Sequence, residues 1–145
     1  MESKIQKQLI IFNDDREQNY EIIKELQKLD IICEQKRLNI GDYLFFSNNN
    51  KILIEMKSVD DFCMSIIDGR MKRQAQKLEE SDGETFIMVY GKISDRKTLL
   101  EENCIVGMII SLTLKYKSKI IWLDNERQIA FAMKRIFERL TKNEK

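Results

Sequence analysis

Apolar runs of strand length alternate along this chain with stretches whose apolar residues recur at helical spacing, a pattern that restricts the fold to a sheet flanked by helices. Residues 8–13 (QLIIFN) read as a buried strand whose carboxyl end carries Asp14 and Asp15. Ile22, Ile23, Leu26 and Leu29 then form one face of a helix over 20–29. A second strand is expected at 31–37. Residues 41–46 and 51–57 flank the polar tract 47–50 as a β-hairpin, since asparagine tolerates left-handed turn conformations. Residues 59–78 read as helix with a break at Gly69, 85–90 as a buried strand ending at Gly91, and 103–115 as an apolar helix. A strand at 119–123 and a helix over 126–140 complete the order. At 145 residues and 43% hydrophobic content the chain suits one α/β domain spanning 1–145.

The residues that are missing narrow the chemistry. The chain has no histidine and three cysteines, Cys33, Cys63 and Cys104, so it cannot assemble the usual four nitrogen or sulfur ligands of a structural zinc site. Ser-His-Asp and Cys-His arrangements are excluded with it, leaving carboxylates, lysine, tyrosine and a hard metal ion as agents of catalysis. The cysteines, odd in number and widely spaced, read as small core hydrophobes in a reducing compartment. The start, MESKIQKQ, is polar, and no apolar run of about eighteen residues occurs, so a soluble intracellular protein without a membrane span is expected. A net charge of +1 means that any nucleic-acid footprint must be local.

One local pattern carries chemistry. In the strand ILIEMK the side chains alternate faces, so Glu55 and Lys57 point the same way with Cα atoms ~6.5 Å apart. If the hairpin closes through a two- or four-residue loop within 47–50, Phe46 faces Lys51. Counting back then sets Asp42 opposite Glu55 on that same face. Two carboxylates beside a lysine suit Mg²⁺, which takes a couple of carboxylates and keeps several waters, one of which can attack phosphate. The competing reading is a solvated strand face with an incidental ion pair.

The wider order distinguishes the two. Asp14-Asp15-Arg16-Glu17, Gly41-Asp42-Tyr43, Glu55-Met56-Lys57 followed by Asp61, and Ser65-Ile66 followed by Arg70 and Gln74 resemble, in sequence, the linked motifs of the XPF family of structure-specific nucleases. The resemblance covers nearly the whole chain. It implies a restriction-endonuclease-like fold, a mixed central sheet flanked by helices, and hydrolysis of phosphodiester bonds in branched DNA such as flaps, forks or nicked junctions during repair or recombination. It also implies Mg²⁺ or Mn²⁺ held by Asp42 and Glu55 with Asp14, Lys57 as the catalytic lysine, and Asp61, Arg16 and Glu17 completing the site. The compartment would be cytoplasmic in a prokaryote or virus and nuclear in a eukaryote. The alternatives are a general junction-resolving nuclease and a catalytically silent scaffold for an active partner.

Met56 departs from the family, which has arginine there. Alternation sends its side chain to the opposite face with Ile52 and Ile54, where methionine packs well. No helix-hairpin-helix module follows before Lys145, which fits an excised domain or a minimal stand-alone member. Ser58 reads as a helix cap, Asp60 as structural and Asp61 as a site residue. Arg70, Lys72, Arg73 and Lys77 make a basic stretch, in which Arg70, Arg73 and Gln74 are the candidate DNA contacts, while Met71, Ala75 and Leu78 face the core. Tyr43 and Trp122 read as packing residues. The helix after Asn103 is apolar over more of its circumference than one buried stripe requires, and the final helix adds a further apolar set that a single small core would not fully absorb, so a homodimer, or a heterodimer with a related subunit, is expected through the C-terminal helices.

Overall fold

The computed structural model describes residues 9–16, 19–47 and 49–142. Strand β1 (Ile10–Asp14) leads into helix α1 (Tyr20–Lys28) and strand β2 (Ile32–Lys36), and the hairpin is β3 (Tyr43–Ser47) with β4 (Asn50–Ser58). Helices α2 (Val59–Ile67) and α3 (Arg70–Glu80) follow. Then come β5 (Glu84–Tyr90), a short 3₁₀ turn at Ile93–Asp95, α4 (Glu102–Lys115), β6 (Lys119–Leu123) and α5 (Glu126–Lys142). All six strands form one sheet in the order β2-β1-β3-β4-β5-β6. The pairs β1/β2, β4/β5 and β5/β6 are parallel, whereas β3 runs antiparallel to both neighbours. This is the expected mixed sheet, and its parallel pairs are joined through helices, as parallel pairing requires.

The hairpin register follows the expected count: Phe46 pairs with Lys51 and Ser47 with Asn50. Alternation along β4 therefore separates two cores. Ile52, Ile54 and Met56 face one side with Ile11, Tyr43 and Met88, against Ile22 and Leu26 of α1 and Met133 and Phe137 of α5. There the rings of Phe45 and Phe137 stack with centroids 4.2 Å apart. On the other side Leu44, Leu53, Ile87 and Val89 meet Phe62 of α2, Met71, Ala75 and Leu78 of α3, and Ile105 and Leu112 of α4. Burial of some two dozen large apolar side chains, each worth about 1.5–3 kcal/mol, is what holds the layers together.

Two packing expectations resolve differently. Trp122 is packed as expected, edge-on to Phe62 at 5.2 Å with its indole N–H on the Gly91 carbonyl. The cysteines diverge, because Cys63 is buried and Cys33 half-buried, whereas Cys104 is exposed. Helix α4 turns Ile105 to the core, and the residue just before it, rotated about 100° around the axis, faces outward. Among the described residues no helix is long and apolar enough to cross a membrane.

Candidate active site

The carboxyl ends of β1 and β4, the turn before β3, and helices α2 and α3 enclose a cleft of about 620 Å³. Its lining includes Asp14, Arg16, Asp42, Glu55, Lys57, Asp61, Arg70 and Gln74. Residues from four separate sequence segments are thus brought to one place.

Strand β4 supplies the centre. Glu55 and Lys57 share a face, with Lys57 Nζ 3.9 Å from Glu55 Oε2, and the lysine side chain is only 5% exposed. A buried ammonium needs such a partner, because desolvation disfavours its charge. Asp42 reaches the same spot through the hairpin. Its N–H donates to Ile54 O at 2.8 Å and its Oδ2 accepts from Met56 N–H at 2.7 Å. Gly41 makes the approach possible: at φ +76°, a Cβ there would stand 3.2 Å from Ile54 O. Burial, followed by the negative field and hydrogen bonding of Glu55, pushes the Asp42 carboxyl up to about 8, against the opposing pull of Met56 N–H and Lys57. The Asp42 carboxyl is therefore inclined to keep its proton near neutrality, facing Glu55.

Asp14 is buried and plays a different part. Its Oδ2 accepts from Arg16 Nε at 2.9 Å and Arg16 N–H at 3.2 Å, and its Oδ1 accepts from Leu38 N–H at 2.8 Å and Arg16 Nη2 at 3.2 Å. Burial would raise its pKa, but these donors hold the carboxyl below its usual value. Arg16 Nη2 also donates to Leu38 O at 2.8 Å, so the pair clamps the β2–β3 connection against the end of β1. The expected trio of metal-holding acids is thus not assembled as a set. Asp42 and Glu55 converge, Asp14 is committed to Arg16 and Leu38, and among the described residues no three or more Asp, Glu, Cys or His side chains are grouped to hold an ion. Glu17 lies outside the described residues.

Helix α2 begins on Ser58, whose Oγ accepts from Asp61 N–H at 3.1 Å, as the capping pattern predicts. Asp61 is exposed at the cleft edge. Asp60 is structural, its Oδ1 accepting from Lys97 N–H at 2.8 Å and Thr98 N–H at 3.3 Å. On α3, Arg70 and Gln74 line the cleft together with Lys77, one further turn along. Arg73 is not among the lining residues. The guanidinium of Arg70 rests on Asp68 at 2.7 Å, and Gln74 Oε1 is buried with no hydrogen-bond partner among the described residues. Lys77 was one member of the basic stretch in sequence. Its i, i+7 relation to Arg70 is the signal that singles it out, because seven residues make almost two full turns.

The pattern of the ERCC4 domain matches residues 13–136. This chain belongs to the ERCC4 domain family. The 3'-flap repair endonuclease Xpf of Saccharolobus solfataricus is 29% identical over 130 residues, covering 89% of this chain and 54% of that protein. The structure-specific endonuclease subunit MUS81 of Danio rerio is 31% identical over 77 residues, 41% of this chain and 13% of that one. Among solved structures, XPF from Aeropyrum pernix in complex with DNA superposes with a TM-score of 0.81 at 26% identity, covering 94% of this chain and 66% of that chain. The ERCC4 chain described here thus spans about half the length of the Saccharolobus relative. The expected XPF family and its nuclease fold are borne out.

Proposed function

We propose that this ERCC4 chain is, over residues 1–145, a single nuclease unit that hydrolyses phosphodiester bonds in branched DNA such as flaps, forks or nicked junctions, with Mg²⁺ or Mn²⁺ as cofactor. The observation that carries the reading is the convergence of the half-buried Asp42 and Glu55 on the buried Lys57 at the head of a cleft walled by Arg70, Gln74 and Lys77. The donor set fits a hard divalent cation: two carboxyl groups offer oxygen ligands, and coordination by water and phosphate oxygens is what Mg²⁺ accepts in the remaining positions. Such an ion, when bound, supplies charge neutralisation and a water acidic enough to attack phosphate near neutral pH.

The chain's own groups take the other roles. Lys57 Nζ, fixed beside Glu55, orients the attacking water as an ammonium whose charge offsets that developing on phosphate, or, once it has given up its proton, receives one from that water. Arg16 and Asp14 hold the Leu38 connection in place as one wall, and Asp14 would reach an ion only on releasing Arg16. Asp61 adds an acid at the rim. Arg70, exchanging Asp68 for a phosphate oxygen, and Gln74 bind the DNA backbone, with Arg73 and Lys77 adding positive charge. A non-catalytic scaffold gains nothing from crowding Asp42 against Glu55 at a cost in stability, which favours the enzyme reading. The test is cleavage of end-labelled flap, fork, four-way and fully paired DNA with Mg²⁺ and with EDTA. Metal-dependent nicking near the branch point is expected, and no cleavage of any branched DNA would overturn the proposal. An intracellular site of action accompanies this reading.

We further propose pairing as a homodimer, or with a related subunit, through the C-terminal third. On α4, Val106, Ile110 and the 80% exposed Leu114 stand at successive turns. The edge strand β6 and Phe131 of α5 continue the apolar surface around that side of the sheet. Sedimentation of DNA-free protein at micromolar concentration is expected to give a dimer mass that persists in 1 M salt. A monomer mass would remove the homodimer.

A further inference from the structure

On the face of the sheet that carries the cleft, α2, α3 and α4 pack over β4, β5, β6 and the middle of β3, while α1 and α5 cover the opposite face. Leu44, at the centre of β3, is buried under the α2–α4 layer and Phe12 packs against its margin, whereas the start of β1 and the hairpin end of β3 reach past it. What stands there is aromatic. Phe46 is 53% exposed and Ile10 39%, and Phe12 lies edge to face with Phe46 at 6.4 Å. Isolated exposed hydrophobics are ordinary on protein surfaces, but a contiguous aromatic pair beside an active site is not.

Position and charge indicate the occupant. Phe12 is two residues before Asp14 on the same face of β1, and Ile10 two before that, so the patch runs back from the cleft for ~13 Å. Helix α3 lies next to it, since Phe12 packs against the core that Met71, Ala75 and Leu78 help to form, and Arg70, Gln74 and Lys77 run along the cleft side of that helix over ~10 Å. Cations edge the floor. Lys36 Nζ sits 5.3 Å from the Phe12 ring centroid, and Lys51 is cross-strand to Phe46. Glu34, opposite Phe12 on the edge strand, bounds the tract on its outer side. Flat rings to stack on and ammonium groups on both borders are the combination that holds single-stranded nucleic acid, whose bases are exposed and whose phosphates are charged. A duplex keeps its bases inside and would not use the rings.

We propose that this aromatic track receives the unpaired strand of the branched substrate, with bases on Phe12 and Phe46 and phosphates toward Lys77, Lys51 and Lys36. The inference rests on the nuclease reading and adds to it the means by which an unpaired arm is told from duplex. Binding in EDTA by Phe12→Leu/Phe46→Leu, which keeps apolar bulk but removes the rings, tests it. Relative to the parent chain, affinity for DNA with an unpaired arm should fall about tenfold. Affinity for nicked duplex of the same paired length, and cleavage of it in Mg²⁺, should be unchanged. In parallel, 5-iodouracil placed in the arm should photocrosslink to Phe12 or Phe46. Crosslinks there on DNA that is never cleaved would remove the nuclease reading and keep the track. Cleavage with crosslinks elsewhere, equal losses on both DNAs, or no loss would overturn the track. A double variant that changes the sedimenting mass rather than arm affinity would overturn it too, and assign the face to protein contact.

Discussion

Asp42→Asn and Glu55→Gln are expected to bind branched DNA as tightly as the parent chain or more tightly, and to cleave it at least ~10³-fold more slowly. Each substitution removes one of the two carboxyl groups that converge beside Lys57, and each also removes repulsion of phosphate, so binding and turnover should move in opposite directions. Asp42→Asn carries a second signature. With its carboxyl raised from 3.8 to about 8, first by burial and then by Glu55, the folded chain binds a proton there that the unfolded chain has lost. Between these values the folded state therefore holds the extra proton, and stability falls as pH rises through the window, levelling off above it. The uncharged amide lacks that penalty and can still accept from Met56 N–H. In EDTA at pH 9 the variant should be more stable than the parent by on the order of 1–3 kcal/mol, a gain that shrinks toward pH 5. Apparent metal affinity of the parent should correspondingly climb with pH up to about 8. Near-normal cleavage by either variant would remove the site assignment, and a pH-independent stability difference would remove the protonation account.

Lys57→Ala should lower turnover by about 10²–10⁴-fold while changing metal affinity far less. The lysine is 5% exposed and stands 3.9 Å from Glu55, so it is held where a reacting water would need it. Truncation also strips two crowded acids of their counter-charge, which should raise the proton affinity of Asp42 further and move the pH dependence upward. Lys57→Met controls for packing, because it preserves most of the buried chain without the charge. Equal loss of turnover in Ala and Met variants with retained melting temperature supports a chemical role. Recovery of turnover in Met, or unfolding of Ala as the main effect, would make the lysine structural.

Much of the framework could be read locally. Strand alternation alone puts Glu55 and Lys57 on one side and Met56 on the other, because successive Cβ atoms must point to opposite faces. The hairpin count of Phe46 onto Lys51 fixed the approach of Asp42, and the helix break at Gly69 and the apolar side of α3 followed from spacing. The ordered motifs carried the family. All of these depend on residues close in sequence, where backbone geometry leaves few choices.

What tertiary structure decided were meetings between distant segments. Asp14 donates its N–H to Asp42 O at 2.8 Å yet spends its carboxylate oxygens on Arg16 and on Leu38, 24 residues away, although sequence order puts all three acids in one motif set. Asp60 tethers Lys97 and Thr98, 37 and 38 residues on. The rotation of α3 on its buried stripe turns Lys77 rather than Arg73 to the cleft, and that of α4 leaves Cys104 outside the core. The raised proton affinity of Asp42 comes from burial and from Glu55, which reaches it across the hairpin. Amino-acid order by itself determined which residues lie on each strand face and helix stripe, since those are set by the period of the backbone. Which stripes and strand ends meet was decided by the packing of the two cores, because rotation and separation of distant elements are free until their apolar surfaces are buried against one another.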